Sequence, residues 1–71
     1  MKFAKVLKNI RTDLKLTQEQ LARDLGISFS TLNRWEKART KPSPLAKQTI
    51  INYFEAKNVP TEKLIILDEA E

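Results

Sequence analysis

The stretch TQEQLARDLGISFSTLNRWEK, residues 17–37, predicts two short helices joined by a tight turn. Each helix has its own start signal. Thr17 with Gln20 three residues later has the pattern of a capping box, and Ser28 is a second candidate N-cap. Gly26 is the only glycine in the chain, and it stands where a helix that ends sharply needs positive φ without strain. The stretch therefore predicts a helix over about residues 18–25 and a second one that ends near Lys37.

The second of these helices has two unlike faces when its residues are placed at about 100° intervals. Leu32 and Trp35 fall together on one side, and polar side chains occupy the other. An arginine can bond a guanine through two hydrogen bonds, an asparagine can do the same with adenine, and an apolar ring can contact the methyl group of thymine. The outer face is therefore a candidate base-reading surface, made of Phe29, Ser30, Asn33 and Arg34.

This segment resembles the phage-repressor-like (Xre/Cro type) helix-turn-helix family. The likeness runs through LTQEQLA, the glycine, the IS before the second helix, and TLNRWEK with the basic stretch and KPS after it. It covers roughly residues 3–56. The resemblance implies an all-α, lambda-repressor-like domain of four to five short helices, with the second helix of the motif in the DNA major groove. The alternative is an ordinary helical hairpin in a small bundle.

The resemblance also implies roles for three residues. In the family, an arginine of the first helix pairs with a glutamate of the recognition helix, and Arg11 and Glu36 stand at the matching positions. A carboxylate near the buried edge of a helix needs such a partner. A glutamine at the position of Gln18 often touches the DNA backbone and braces the recognition helix. A solvated glutamine in the first turn is the alternative.

The loop after the recognition helix, ARTKPSP, is short, basic and polar. Beside a helix that lies in a groove, such a loop would face phosphates and supply affinity and register rather than sequence choice. A solvated basic loop is the alternative. The family usually has glycine where Ala38 stands, so we expect either a left-handed alanine or a longer helix. The candidate phosphate contacts are Thr17, Gln18, Lys37, Arg39, Thr40 and Lys41.

The segments on either side of the helix-turn-helix stretch are expected to complete the hydrophobic core, and the last of them is a candidate dimer interface. Residues 3–14 have the apolar spacing of an amphipathic helix. Ser43 and Pro44 begin another helix, whose apolar stripe we expect Leu45 to widen, and Asn58 is a left-handed stop. The run KLIIL fits either a fifth helix or a β-strand. Its apolar residues form either a dimer surface or a contact with the rest of the domain. We expect the acidic tail over 68–71 to be frayed. We therefore divide the chain into a helix-turn-helix domain, 1–58, and a short C-terminal element with its tail, 59–71.

The amino-acid composition argues against several classes of function. The 71 residues make one small domain and include no histidine and no cysteine. We therefore expect no enzyme, cofactor, metal site or disulfide, and no small-molecule ligand is evident. No apolar run approaches a membrane span and no signal-peptide core is present, so we expect a cytoplasmic protein without a membrane partner. The net charge is +4. Residues 1–57 contain twelve Lys or Arg against five Asp or Glu, which favours a polyanionic partner over a merely solvated surface.

Together these observations predict sequence-specific binding of double-stranded DNA through the major groove by a small transcriptional regulator, most simply a repressor. One recognition helix covers few base pairs, so we expect a homodimer on a two-fold site with half-sites about one helical turn apart. The alternatives are a protein-interaction or antitoxin-like module, and a DNA-targeting subunit for a separate partner.

Overall fold

The structure, a computed structural model, describes residues 2–71. Within that range the chain forms five α-helices and no β-strand, which confirms the all-α prediction and shows that the KLIIL run is helical. None of these helices is long and apolar enough to cross a lipid bilayer. The helices are α1 (Phe3–Asp13), α2 (Gln18–Leu25), α3 (Phe29–Glu36), α4 (Pro44–Ala56) and α5 (Thr61–Glu69).

All five helices contribute to one hydrophobic core. Helix α1 packs against α3 and α5, while α4 packs against α2 and α5. Each of the five helices contributes at least one fully buried side chain. Removing the apolar surface of these side chains from water is the main force that holds the short helices together. The largest of them are Leu7, Leu21, Leu32, Ile50, Phe54 and Leu67.

The starts of α2, α3 and α4 are fixed by their own side chains. The Thr17 hydroxyl accepts from the backbone N–H of Gln20, and the Gln20 side chain accepts from the backbone N–H of Thr17, so the capping box is complete. Ser28 caps α3 and Ser43 caps α4, each through its hydroxyl oxygen. These bonds satisfy backbone donors that have no partner inside the helix.

The ends of α1, α2, α3 and α4 share one geometry. A left-handed residue follows each helix, and the next backbone N–H donates to the carbonyl five residues earlier. This is the Schellman motif, which satisfies the last carbonyls of the helix. The left-handed positions of Gly26 and Asn58 are confirmed, and Ala38 adopts the left-handed conformation rather than extending α3. The four residues are Lys15 (φ 58°), Gly26 (φ 72°), Ala38 (φ 59°) and Asn58 (φ 65°).

Two expectations about the C-terminal half are wrong. Leu45 does not widen the buried stripe of α4, because it is 79% exposed and lies about 140° around the helix from Ile50. The acidic tail is not frayed over 68–71, because α5 continues to Glu69 and Asp68 pairs with Lys47 at 3.3 Å. Leu67 is fully buried, and this anchors the last turn of α5 in the core.

Candidate nucleic-acid interface

An ion pair joins the first helix to the third. Arg11 Nε donates to Glu36 Oε2 at 2.7 Å, and Arg11 Nη2 donates to Glu36 Oε1 at 3.0 Å. The third guanidinium nitrogen, Nη1, donates to the carbonyl of Leu16 at 2.8 Å. The Glu36 side chain is only 2% exposed and that of Arg11 is 10% exposed. Arg11 is therefore committed to holding α3 in place, and it is not available to DNA.

Gln18 connects the same ion pair to the outer part of α3. Its Nε2 donates to Glu36 Oε1 at 3.0 Å, and its Oε1 accepts from Asn33 Nδ2 at 3.2 Å. Both ends of this amide are thus used inside the protein, and the side chain ties α2 to α3. The backbone N–H of Gln18 lies in the first turn of α2, where helix N–H groups and the helix dipole favour an anion.

One face of α3 is open to solvent. Phe29, Ser30 and Arg34 are exposed and Asn33 is half-buried, while Leu32 and Trp35 are buried on the opposite face. Because residues three and four apart are neighbours on a helix, the four candidate base-reading residues occupy one continuous strip. The Arg34 side chain makes no hydrogen bond or ion pair with any residue of the described range 2–71.

The chain after α3 extends this strip with cations. Lys37, Arg39, Thr40 and Lys41 are all exposed, and none of their side chains is hydrogen-bonded or ion-paired to another described residue. Thr17 is exposed as well. Its hydroxyl oxygen is occupied as the acceptor in the capping box, so its remaining capacity toward a phosphate is that of a donor.

Arg39 stands out among the equivalent helix ends. The residue after the left-handed position of a Schellman motif is frequently apolar and packs back on its helix. Leu16, Ile27 and Val59 occupy this position after α1, α2 and α4, and all three pack in or against the core. Arg39 occupies it after α3 and points a cation into solvent, beside the open face of that helix.

The electrostatics of this region are strongly positive. Residues 28–42 contain four cations and one acid, and that acid is Glu36, whose charge is balanced by Arg11. The net effect is a polar helix face bordered by uncompensated positive charge, which attracts a polyanion.

The comparison with known proteins agrees with this arrangement. A model of the helix-turn-helix family matches residues 7–46, more than half of the chain. The chain belongs to the phage-repressor-like helix-turn-helix family. The HTH-type transcriptional activator BcrR of Enterococcus faecalis is 34% identical over 74 aligned residues, which cover 100% of this chain and 36% of that relative. The chain thus spans about a third of the length of this relative. No solved structure matches the chain significantly.

Within the matched segment, α2 and α3 are the two helices of the motif, Gly26 begins the turn, and α3 stands where the family has its recognition helix. Every candidate site residue, from Arg11 to Lys41, lies within the matched segment. Residues 2–71 contain no cluster of acidic side chains suited to a metal ion.

The family resemblance implies that Gln18 braces the recognition helix, and its bonds to Glu36 and Asn33 agree with that. Two partners were not predicted from the sequence. The helical positions put Asn33 on the base-reading face, but its bond to Gln18 depends on how α2 and α3 cross. The hydroxyl of Tyr53 on α4 donates to Asp24 Oδ2 on α2 at 2.7 Å. Partial burial, and then the hydrogen bond and charge of Asp24, raise the pKa of Tyr53 from 10.0 to about 12. This second contact fastens α4 to the motif.

Proposed function

We propose that the chain binds double-stranded DNA sequence-specifically, with α3 in the major groove and the loop over residues 38–41 against the phosphate backbone. The observation that carries the proposal is the open polar face of α3, which continues directly into a loop of unpaired cations. The opposite face of the same helix is fixed in the core by Leu32 and Trp35 and by the ion pair of Glu36.

The proposed base contacts come from the strip on α3. Arg34 has free donors suited to guanine O6 and N7, Asn33 has an amide suited to adenine, Ser30 has a hydroxyl, and Phe29 is 48% exposed and suits a thymine methyl group. The proposed phosphate contacts are Lys37, Arg39, Thr40 and Lys41 on one side of the strip, and Thr17 and Gln18 at the N-terminus of α2 on the other.

The biological output that we propose is transcription control by a protein without catalytic activity. Occupying a promoter would block polymerase and give repression, which is the simplest outcome of DNA binding by itself. The relative from Enterococcus faecalis carries the name of an activator, so a reporter assay with the selected site upstream of a promoter decides the direction of control.

We also propose that the DNA-bound form is a homodimer, since a single recognition helix contacts too few base pairs for high specificity. Ile65 and Ile66 on α5 are 52% and 43% exposed, and they are the candidate dimer contact within residues 59–71. A protected site of two inverted half-sites about one helical turn apart is expected in a footprint. A single unrepeated half-site would contradict this.

The first experiment is a fluorescence anisotropy titration of a labelled mixed-sequence duplex at low and at moderate salt. Binding should weaken steeply with salt, because each phosphate contact contributes about −0.9 to the slope of log K against log salt. Selection from a randomised duplex library then gives the preferred site. Failure to bind at low salt would refute the proposal and leave the protein-interaction module.

Two variants separate the proposed roles. Arg34→Ala should reduce the preference for the selected site over a scrambled duplex. Arg39→Leu should weaken binding to both duplexes equally and make the salt slope shallower by about 0.9. Lys63→Gln is the matched control, because Lys63 is a cation of α5 that pairs with Asp13 at 3.0 Å. It should leave both the preference and the slope unchanged.

A further inference from the structure

The hydrogen bonds from Arg11 through Glu36 and Gln18 to Asn33 can run in only one direction. We propose that this chain of contacts fixes which amide atoms of Asn33 face the DNA, and that Asn33 thereby selects adenine over guanine. The inference rests on the proposed DNA binding of α3, and it assigns a specificity-setting role to Gln18 that a phosphate contact alone would not give it.

The first link sets the direction. A guanidinium has only donors, and Arg11 gives two N–H groups to the two oxygens of Glu36. Both oxygens of the Glu36 carboxylate therefore accept, in one bidentate orientation. Its side chain is 2% exposed, so solvent does not compete for its remaining acceptor capacity.

The second link transmits the direction across α2. Because Glu36 can only accept, the Gln18 amide atom that lies 3.0 Å from Glu36 Oε1 has to be nitrogen. The other end of the same planar amide is then an oxygen, which can only accept. The Asn33 atom that lies 3.2 Å from this oxygen has to be nitrogen in turn. Rotating either amide by 180° would place two acceptors or two donors against each other.

The remaining hydrogen-bonding capacity of Asn33 follows from this. Its Oδ1 keeps its acceptor sites and its Nδ2 keeps one N–H. One acceptor beside one donor complements adenine, which offers the N6 amino group and N7 in the major groove. Guanine offers two acceptors at O6 and N7, so the fixed Oδ1 would meet an acceptor. An unrestrained asparagine can turn to suit either base, whereas this one cannot.

The chain offers a matched comparison on α4. Gln48 Nε2 donates to Asn52 Oδ1 at 2.9 Å, so the same two residue types are paired there. That pair is exposed, and within residues 2–71 no carboxylate is hydrogen-bonded to it to fix its direction. Gln48→Met is therefore a control. It removes a glutamine amide from the protein but leaves intact the hydrogen bonds from Arg11 through Glu36 and Gln18 to Asn33, which we call the relay.

The first test uses the free protein and needs no DNA. In ¹⁵N-resolved NMR spectra, one of the two side-chain amide protons of Asn33 should be shifted downfield and exchange slowly with water. Gln18→Met should abolish this signature and Gln48→Met should not. If the two side-chain amide protons of Asn33 show neither the downfield shift nor the slow exchange in the unsubstituted protein, the proposed orientation of Asn33 is overturned. Thermal unfolding of each variant shows whether it is folded.

The second test uses the duplex selected by the unsubstituted protein. The base pair read by Asn33 is the one at which Asn33→Ala loses discrimination, and it should be an A·T pair. Replacing its adenine by purine, which lacks the amino group, or by 7-deazaadenine, which lacks N7, should weaken binding. Changing it to G·C should weaken binding by roughly 5- to 150-fold. A guanine at the selected position would overturn the proposal.

Gln18→Met gives the decisive comparison. If Gln18 orients Asn33, the ratio of adenine to guanine affinities should fall toward that of Asn33→Ala, and the double variant should show no further loss. If the Gln18 side chain does not orient Asn33, the ratio is unchanged, whether or not both duplexes weaken, and this overturns the proposal. If the unsubstituted protein binds no duplex, the proposed function fails and the base assignment fails with it. The NMR signature still shows separately whether Asn33 is oriented.

Discussion

Replacing Arg11 by methionine should remove a large share of the free energy of unfolding. The substitution keeps much of the aliphatic volume but leaves the carboxylate of Glu36, 2% exposed, without its counter-ion. Breaking one side of a buried ion pair costs about 3–5 kcal/mol. Gln18 still donates one hydrogen bond to Glu36, so we expect the lower end, about 3 kcal/mol. A domain of 71 residues is stable by about 4–11 kcal/mol in total.

The assay is urea unfolding followed by tryptophan fluorescence. Trp35 is the only tryptophan, it is 7% exposed, and it neighbours Glu36 in sequence, so its emission reports on the region that is perturbed. The control is Lys63→Gln, which breaks an ion pair whose side chains are 47% and 60% exposed. Exposed pairs contribute about 0–1 kcal/mol, and the control should stay within that range.

The double variant Arg11→Met with Glu36→Leu tests the reasoning itself. If the cost of the single variant comes from an unpaired buried charge, removing that charge should recover most of the lost stability, because apolar groups often replace a buried ion pair at little cost. A loss below about 1 kcal/mol for Arg11→Met alone would refute the argument. So would a double variant that is as unstable as the single one.

Three further outcomes are expected from the fold. Ala38→Gly should raise the free energy of unfolding in urea by about 0.5–1 kcal/mol, since the left-handed strain of an L-residue, about 1–2 kcal/mol, exceeds the entropic cost of glycine. Leu67→Ala should lower it by about 2–5 kcal/mol, and a loss under about 1 kcal/mol would show that α5 is dispensable. Tyr53 is the only tyrosine, so its near-ultraviolet absorbance should titrate with a pKa of about 12 rather than 10.0, and Asp24→Asn should lower that pKa. The hydroxyl of Tyr53 loses its proton at a lower pH in the unfolded chain than in the folded one. The contribution of Tyr53 to the free energy of unfolding is therefore complete below about pH 10 and is lost as the pH rises to about 12. Thermal unfolding across that pH range measures this loss.

The parts of the fold that the sequence predicted depend on residues close together in the chain. The caps of α2, α3 and α4 are hydrogen bonds between residues three apart, so their patterns can be read directly. Gly26 is similarly local, because its left-handed conformation is needed wherever a helix ends in a Schellman motif. The overall family was also accessible, since its motif is spread over consecutive segments.

The parts that could not be predicted depend on how helices cross. The run KLIIL has four consecutive apolar residues, and only packing decides that Leu64 and Leu67 face the core while Ile65 and Ile66 are exposed. That spacing is helical, but nothing local distinguishes it from a strand. The bonds of Gln18 to Asn33 and of Tyr53 to Asp24 likewise join different helices, at separations of 15 and 29 residues. The pairing of Arg11 with Glu36 was implied by the family resemblance, and the place of Glu36 near the buried edge of its helix agreed with it.

Arg39 shows how a local rule and a functional requirement can be separated in this chain. Three equivalent helix ends place an apolar residue where Arg39 stands, and each of those residues packs on the core. A leucine at position 39 would satisfy the same rule, so stability does not account for the arginine. Departures from local rules that bring no structural gain are expected at functional sites. If Arg39→Leu leaves the protein equally or more stable and still weakens every duplex, the arginine is explained by phosphate binding and not by the fold.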